Sequence, residues 1–215
     1  MAGRFEGLSD AGWSIFEEVF PAKKRKGPGM PASHPRKVMN SLLYILIVGC
    51  RWCDLPKGLQ WASKSSAHRW LKTWHSDGTF DKLKARILGC AQNEGLINWS
   101  SGAVDGSFSS GKGGGAGVAY GYKGKGVLIH LFVDAQGMPL SAFSAPANED
   151  ERKHVEKLLD TVAVKAGQTR KKVKRLAADK GYDSDALRNF LKEKGIQPQI
   201  PRKRSAKKDE GGLSL

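Results

Sequence analysis

Apolar side chains recur three and four positions apart in four stretches of the first hundred residues, and each stretch predicts a helix with one buried face. Residues 5–20 place Trp13, Phe16, Val19 and Phe20 behind Ser9 and Asp10, either of which can cap the helix. Residues 35–50 set Val38, Leu42, Ile45 and Leu46 on one stripe, closed by Gly49. Residues 64–76 carry Ala67, Trp70, Leu71 and Trp74, opened by Ser63 or Ser65 and stopped by Asp77-Gly78. A fourth helix follows through Phe80, Leu83, Ile87, Leu88 and Ala91. Between the first two, residues 21–35 hold Lys23, Lys24, Arg25 and Lys26 among four prolines and two glycines, a composition that suits an exposed arm.

After Trp99 the period changes. Residues 100–110 read as a strand around Ala103 and Val104, with Asp105 at its end. Residues 127–145 read as two strands joined by the turn Asp134-Ala135-Gln136-Gly137. An amphipathic helix is expected over 151–166 through Val155, Leu158, Leu159 and Val162, then a strand over 173–179, a helix over 184–195 and a last short strand. Three sequential strands followed by helix and strand in alternation predict a mixed sheet of the ribonuclease H type. The expected fold class is α+β: an N-terminal all-α helix-turn-helix domain over 1–95, an incomplete RNase H-like mixed sheet with flanking helices over 99–205, and a disordered tail over 206–215.

In the helix of 64–76 the side away from the apolar stripe displays Lys64, Ser66, Arg69, Lys72 and Thr73. A short capped helix with such a face, following a helix and a turn, is the arrangement that enters a major groove; a packing helix with a solvated basic side shows the same pattern. The arm of Lys23, Lys24, Arg25 and Lys26 could track a phosphate backbone or minor groove.

Charge strengthens this picture. The 215 residues carry a formal charge of +15, and both halves share the excess: 15 Lys/Arg against 8 Asp/Glu before residue 101, and 21 against 13 after it. A basic surface spread over two modules suits a polyanion that touches both, and nucleic acid is the commonest. No apolar run reaches the length of a membrane span, and no secretion signal is legible, so a cytoplasmic protein without a membrane partner is expected. Cys50, Cys53 and Cys90 are an odd number and read as reduced thiols; Cys50 and Cys53 form a CxxC without a second pair of ligands to complete a zinc site.

The glycine-rich stretch 111–126, with Asp134 about 20 residues after its start, invites a dinucleotide-binding reading. That reading needs a helix to open directly on the loop, and a strand follows instead. Lys112, Lys123 and Lys125 in this loop could lie along a DNA backbone.

Asp105 and Asp179 end strands that a mixed sheet of this order sets side by side. Hard oxygen ligands meeting at one sheet edge would form a site for Mg²⁺, and two such ions about 4 Å apart serve in-line displacement at a phosphodiester. Each aspartate taken alone is equally a turn residue, since Asp105-Gly106 and Asp179-Lys180-Gly181 both open turns.

Several segments together resemble one family: AVDGS around Asp105, GYKGKGVLIHLFVDAQGMPL, ADKGYDSDALR around Asp179, CRWCDLP and HRWLKTWHSDGTFDKL. They are similar to the bacterial insertion-sequence transposases of the DDE class, in register over residues 5 to about 205. The resemblance implies an RNase H-like core, Mg²⁺-dependent hydrolysis at the element ends (two ions in the complete site, with Mn²⁺ as a substitute) and strand transfer by the freed 3′-hydroxyl. It makes Asp105 and Asp179 the first two members of an acidic triad. Double-stranded DNA, both element ends and target, is the implied partner, and the protein would be nucleoid-associated when bound. A homo-oligomer is a further candidate. The family's third acid is a glutamate on a later helix, within a tyrosine, arginine, glutamate spacing that this sequence does not show; Asp209 and Glu210 precede two glycines. On that ground the chain resembles a truncated or upstream-frame product, partnered by a frameshifted full-length transposase. The alternative is a catalytically incomplete DNA-binding regulator of transposition.

Overall fold

Four helices form where the apolar spacing predicts them, in a computed structural model that describes residues 5–20, 32–111, 113–115, 117–162, 165–166 and 169–203. The chain divides into two units, 1–91 and 92–215. In the first, α1 (Asp10–Glu17) is capped by Ser9, whose hydroxyl accepts from Gly12 N–H at 3.0 Å. Helix α2 (Pro35–Val48) starts with proline in its first turn and ends on Gly49 at φ 69°, a left-handed conformation that glycine adopts without penalty. Helix α3 (Lys64–Ser76) takes Ser63 as its cap, and α4 (Thr79–Asn93) follows after Gly78.

Trp13, Val38, Met39, Leu42, Ala62, Ala67, Trp74 and Leu83 form the core of this unit, with Phe16, Val19, Phe20, Trp70 and Leu71 packed against it. Full burial of such side chains is worth roughly 1.5–3 kcal/mol each. Polar anchors order the segments around α2: Leu8 N–H donates to Asn40 Oδ1, Asn40 Nδ2 donates to Gln60 C=O, and Arg36 reaches both Asp10 and Leu8 C=O. The predicted apolar stripe of α2 holds only in part. Its buried end is Val38 to Tyr44, whereas Leu46 is 79% exposed with Ile47 and Val48 beside it, because the last turn runs past the core cluster. Residues 49–63, containing a 3-10 turn at Trp52–Asp54, separate α2 from α3, a longer connection than the three- or four-residue turn of compact helix-turn-helix proteins.

In the second unit, β1 (Gly102–Ser110), β3 (Gly124–Asp134) and β4 (Pro139–Pro146) form an antiparallel meander, with the short β2 (Ala119–Gly121) also beside β3. On the other side of β1 lie β7 (Arg175–Ala177) and β8 (Gln197–Gln199), both parallel. The order β4-β3-β1-β7-β8, three antiparallel strands then two parallel, is that of an RNase H-like sheet. Helix α5 (His154–Asp160) packs on β3 and β4, and α6 (Asp185–Glu193) packs on β8. Leu128, His130, Phe132 and Asp134 of β3 are buried on one face; Ile129, on the alternate face, is 43% exposed.

Two expectations change. The helix predicted over 151–166 is a 3-10 turn at Glu151–Lys153 followed by α5, which ends at Asp160. The Thr161 hydroxyl donates back to Lys157 C=O, β-branched Val162 follows, and residues 165–166 pair with 169–170 as the small strands β5 and β6. Asp105 does not end β1 but sits inside it. Asp134 holds the predicted hairpin turn: Oδ1 accepts from Gln136 and Met138 N–H and Oδ2 from Asn98 N–H, and the residue is buried, in keeping with the rejected ribose-binding role.

Candidate active site

The β1–β7 ladder contains two pairs, Gly102 with Leu176 and Ala103 with Ala177. The same register continued by two residues would set Asp105 level with Asp179. Beyond Ala103 the two chains part: β7 ends at Ala177, and Lys180–Tyr182 form a 3-10 turn capped by Asp179. A fork therefore opens between β1 and the departing chain, with the two aspartates at its base.

Both carboxylates are exposed and half engaged. Asp105 Oδ1 accepts from Gly106 N–H at 2.8 Å, and Asp179 Oδ1 accepts from Gly181 N–H at 2.7 Å. Among the described residues the second oxygen of each accepts no hydrogen bond, and no lysine or arginine pairs with either acid. At Asp179 one oxygen caps the turn while the other stays open. Hard, anionic oxygen donors on the two sides of one fork, each oriented by a backbone N–H group, fit Mg²⁺ or Mn²⁺ in kind. Among the described residues no three His, Cys, Asp or Glu side chains converge closely enough to hold a metal ion.

Two further residues border the fork, and neither was read as part of it from sequence. Tyr182, in the turn after Asp179, is 1% exposed. Its hydroxyl faces the Glu151 carboxylate, though the contact falls short of hydrogen-bond geometry. Burial first, and then the carboxylates of Glu151, Asp105 and Asp179, raise the phenol pKa above its ordinary value. Glu151 lies over Gly106: a Cβ built there would stand 3.0 Å from its carboxylate and 3.2 Å from Tyr182 Oη. The signal in the sequence was Gly106 itself, since a glycine inside a strand marks a close approach. A cleft of about 350 Å³ opens beside Glu151, lined also by Phe108, Tyr122, Lys123 and Asn148.

The expected DNA-facing residues divide. Lys64, Arg69 and Lys72 are exposed on α3. Ser66 is not available: it is 6% exposed and its hydroxyl lies 2.8 Å from that of Ser33, because the α3 face it occupies packs inward. Thr73 donates its hydroxyl to Arg69 C=O in its own helix. Lys23, Lys24, Arg25 and Lys26, with Lys112, Asp209 and Glu210, lie outside the described residues. The three cysteines are free thiols, and no described helix is long and apolar enough to cross a membrane.

Residues 100–212, more than half of the chain, match the family of the transposase DDE domain. The chain belongs to the DDE transposases. Residues 8–84 of this transposase chain match a second family, attributed to transposases of the IS4/5 family. Over 104 residues it is 32% identical to the insertion element IS402 uncharacterized 16.2 kDa protein of Burkholderia cepacia, covering 46% of the chain and 70% of the relative. It is 33% identical over 79 residues to the transposase assigned to insertion sequence element IS402 of the same organism, covering 35% of the chain and 37% of that protein. Among solved structures it is similar to the piggyBac transposase in a synaptic complex with hairpin DNA, at 9% identity and a TM-score of 0.47, over 90% of this chain and 47% of that one. The chain thus spans less than half of the length of the last two.

Proposed function

We propose that this DDE transposase acts on the ends of an insertion sequence, recognising terminal inverted repeats through the helical unit and supplying Asp105 and Asp179 to metal-dependent cleavage and strand transfer. The parallel β1–β7 register, which leads both aspartates out of the ladder into the base of one fork, carries the reading. Asp105 and Asp179 would hold Mg²⁺ there, which when bound would supply Lewis-acid activation of the scissile phosphate and of a water. The free oxygens of Asp105 and Asp179 hold that charge in place, and the backbone N–H groups of Gly106 and Gly181 keep each carboxylate in a fixed orientation. Lys123, at the neighbouring cleft, offers a cation to the phosphate backbone, as do Arg69 and Lys72 on α3. Double-stranded DNA, as element end and as target, is the partner this chemistry requires.

The test uses a labelled duplex carrying an element end, with Mg²⁺ or Mn²⁺. Nicking that Asp105→Asn and Asp179→Asn each abolish, with end binding retained, supports the reading. Specific binding without any nicking would instead make the chain a regulator that occupies the ends.

A further inference from the structure

An acid in the first turn of a helix needs no further purpose, since the helix dipole favours it there. Three observations separate Glu151 from that ordinary case. The strand beneath it carries no side chain at Gly106, where even a methyl group would press on the Glu151 carboxylate. The Tyr182 hydroxyl, with no measurable exposure and no hydrogen-bond partner among the described residues, stands at the same point. An unpartnered buried hydroxyl costs about 1–3 kcal/mol unless something completes its environment. Finally, no cation among the described residues pairs with Glu151 in this strongly basic chain. Its neighbour Arg152 is drawn away by a bidentate pair with Asp150, at 2.7–3.1 Å. Asp150 also caps the turn that carries Glu151 by accepting from Arg152 N–H. The arrangement keeps a third negative charge at the fork without neutralising it.

Resting on the reading of Asp105 and Asp179 as metal ligands, we propose that Glu151 is a positioning acid of that site, holding the same divalent cation through water, with the unpartnered Tyr182 hydroxyl beside its carboxylate as the donor that would orient it once the cation is bound. Alternation along β1 sends Asp105 to the Leu131 face and turns Gly106 to the His130 face. The cation would therefore be approached from both sides of one strand, which is open to such an approach because β7 no longer flanks β1 beyond Ala103. Partners at this distance change metal affinity by about 10–100-fold when removed.

The test is direct titration of the full chain with Mn²⁺, following the electron paramagnetic resonance signal of the free ion, without DNA or turnover. Wild type should bind, and Asp105→Asn and Asp179→Asn should abolish binding. Glu151→Gln should raise the dissociation constant about ten-fold with an unchanged urea midpoint, and Tyr182→Phe should shift it less, in the same direction. Wild-type affinity in Glu151→Gln beside loss in both aspartate variants would overturn the role of Glu151 and leave the aspartate site standing. Undiminished binding in the aspartate variants, or no binding by wild type, would overturn the site itself and the inference with it. Should Glu151→Gln fail to fold, Glu151→Ala decides: folded with affinity weakened about ten-fold supports the role, and folded with wild-type affinity removes it.

Discussion

His130 stands directly opposite Gly106 in the β1–β3 ladder, fully buried, with neither ring nitrogen hydrogen-bonded among the described residues. Its ring packs on His154 at 4.5 Å between centroids and on Phe143 at 5.2 Å. Burial first, then His154, pull its pKa down to about 4; Glu149 opposes this and Lys157 adds to it. The unfolded chain gains a proton near pH 6.5 that folded His130 refuses until about pH 4. Stability should therefore be at its full value above pH 6.5, fall as pH drops through that window, and level off below it, by roughly 3 kcal/mol in total. Urea midpoints measured against pH check this. His130→Leu should flatten the slope and surpass wild type at pH 4.5; an unchanged slope would assign it to other groups.

Gly106→Ala should disturb the fork more than the fold. The added methyl meets a flexible side chain and a hydroxyl rather than backbone, so the stability loss should be small, about 1 kcal/mol, while Mn²⁺ affinity drops as it does in Glu151→Gln. Gly121→Ala is the contrasting case. Its Cβ would collide with the backbone carbonyl of Ala147, which cannot swing aside. A larger fall in urea midpoint than for Gly106→Ala is expected, and equal midpoints would contradict the difference.

On α3, Arg69→Ala and Lys72→Ala should each weaken end binding and reduce the slope of log affinity against log salt by about 0.9. Ser66→Ala should lower thermal stability through the lost Ser33 contact and leave that slope unchanged. Binding isotherms at several salt concentrations distinguish the two behaviours. A slope unmoved by both basic substitutions would remove α3 from the DNA interface.

Arg188 and Asp183 form a pair at 2.8 Å with side chains only 12% and 10% exposed, and Arg188 also donates to Ile200 C=O while Asp183 accepts from Lys203 N–H. The Lys203 N–H first, and then Arg188, hold the Asp183 carboxyl below its usual range. The stability it contributes is present at neutral pH and is lost as pH falls below the ordinary aspartate value. Arg188→Leu should lower the urea midpoint at pH 7, with a narrower gap to wild type at pH 3, and should expose the 200–203 backbone to hydrogen exchange.

The helices were legible because their signals are local: Ser9, Ser63 and Ser184 each cap the helix they precede, and Gly49 ends α2. The pairing of the strand that carries Asp105 with the strand that leads to Asp179 was legible through topology, because an RNase H-like order sets the two side by side. Glu151 was not, because an acid opening an amphipathic segment looks the same whether it serves a helix or a site; only the missing side chain at Gly106, in another element, tells the two apart. Ser66 was misread because the helical period places it beside Arg69 and Lys72, and nothing in that period shows that Ser33 would be waiting for it. The end of α5 was overrun because apolar spacing continues through Val162, while the hydroxyl of Thr161 has already turned back on its own helix.

The pairing of β1 with β7 also sets a schedule. The meander from β1 to β4 closes over short stretches of chain, and nine pairs join β1 to β3. The contact that brings Asp179 to Asp105 is only two pairs long and must wait for a much longer segment to loop back, a late and entropically costly step. The acids that would cut DNA are therefore strangers until the sheet is otherwise built, and they part first when β7 peels away. A nascent or partly opened chain would carry its basic surface without a working blade.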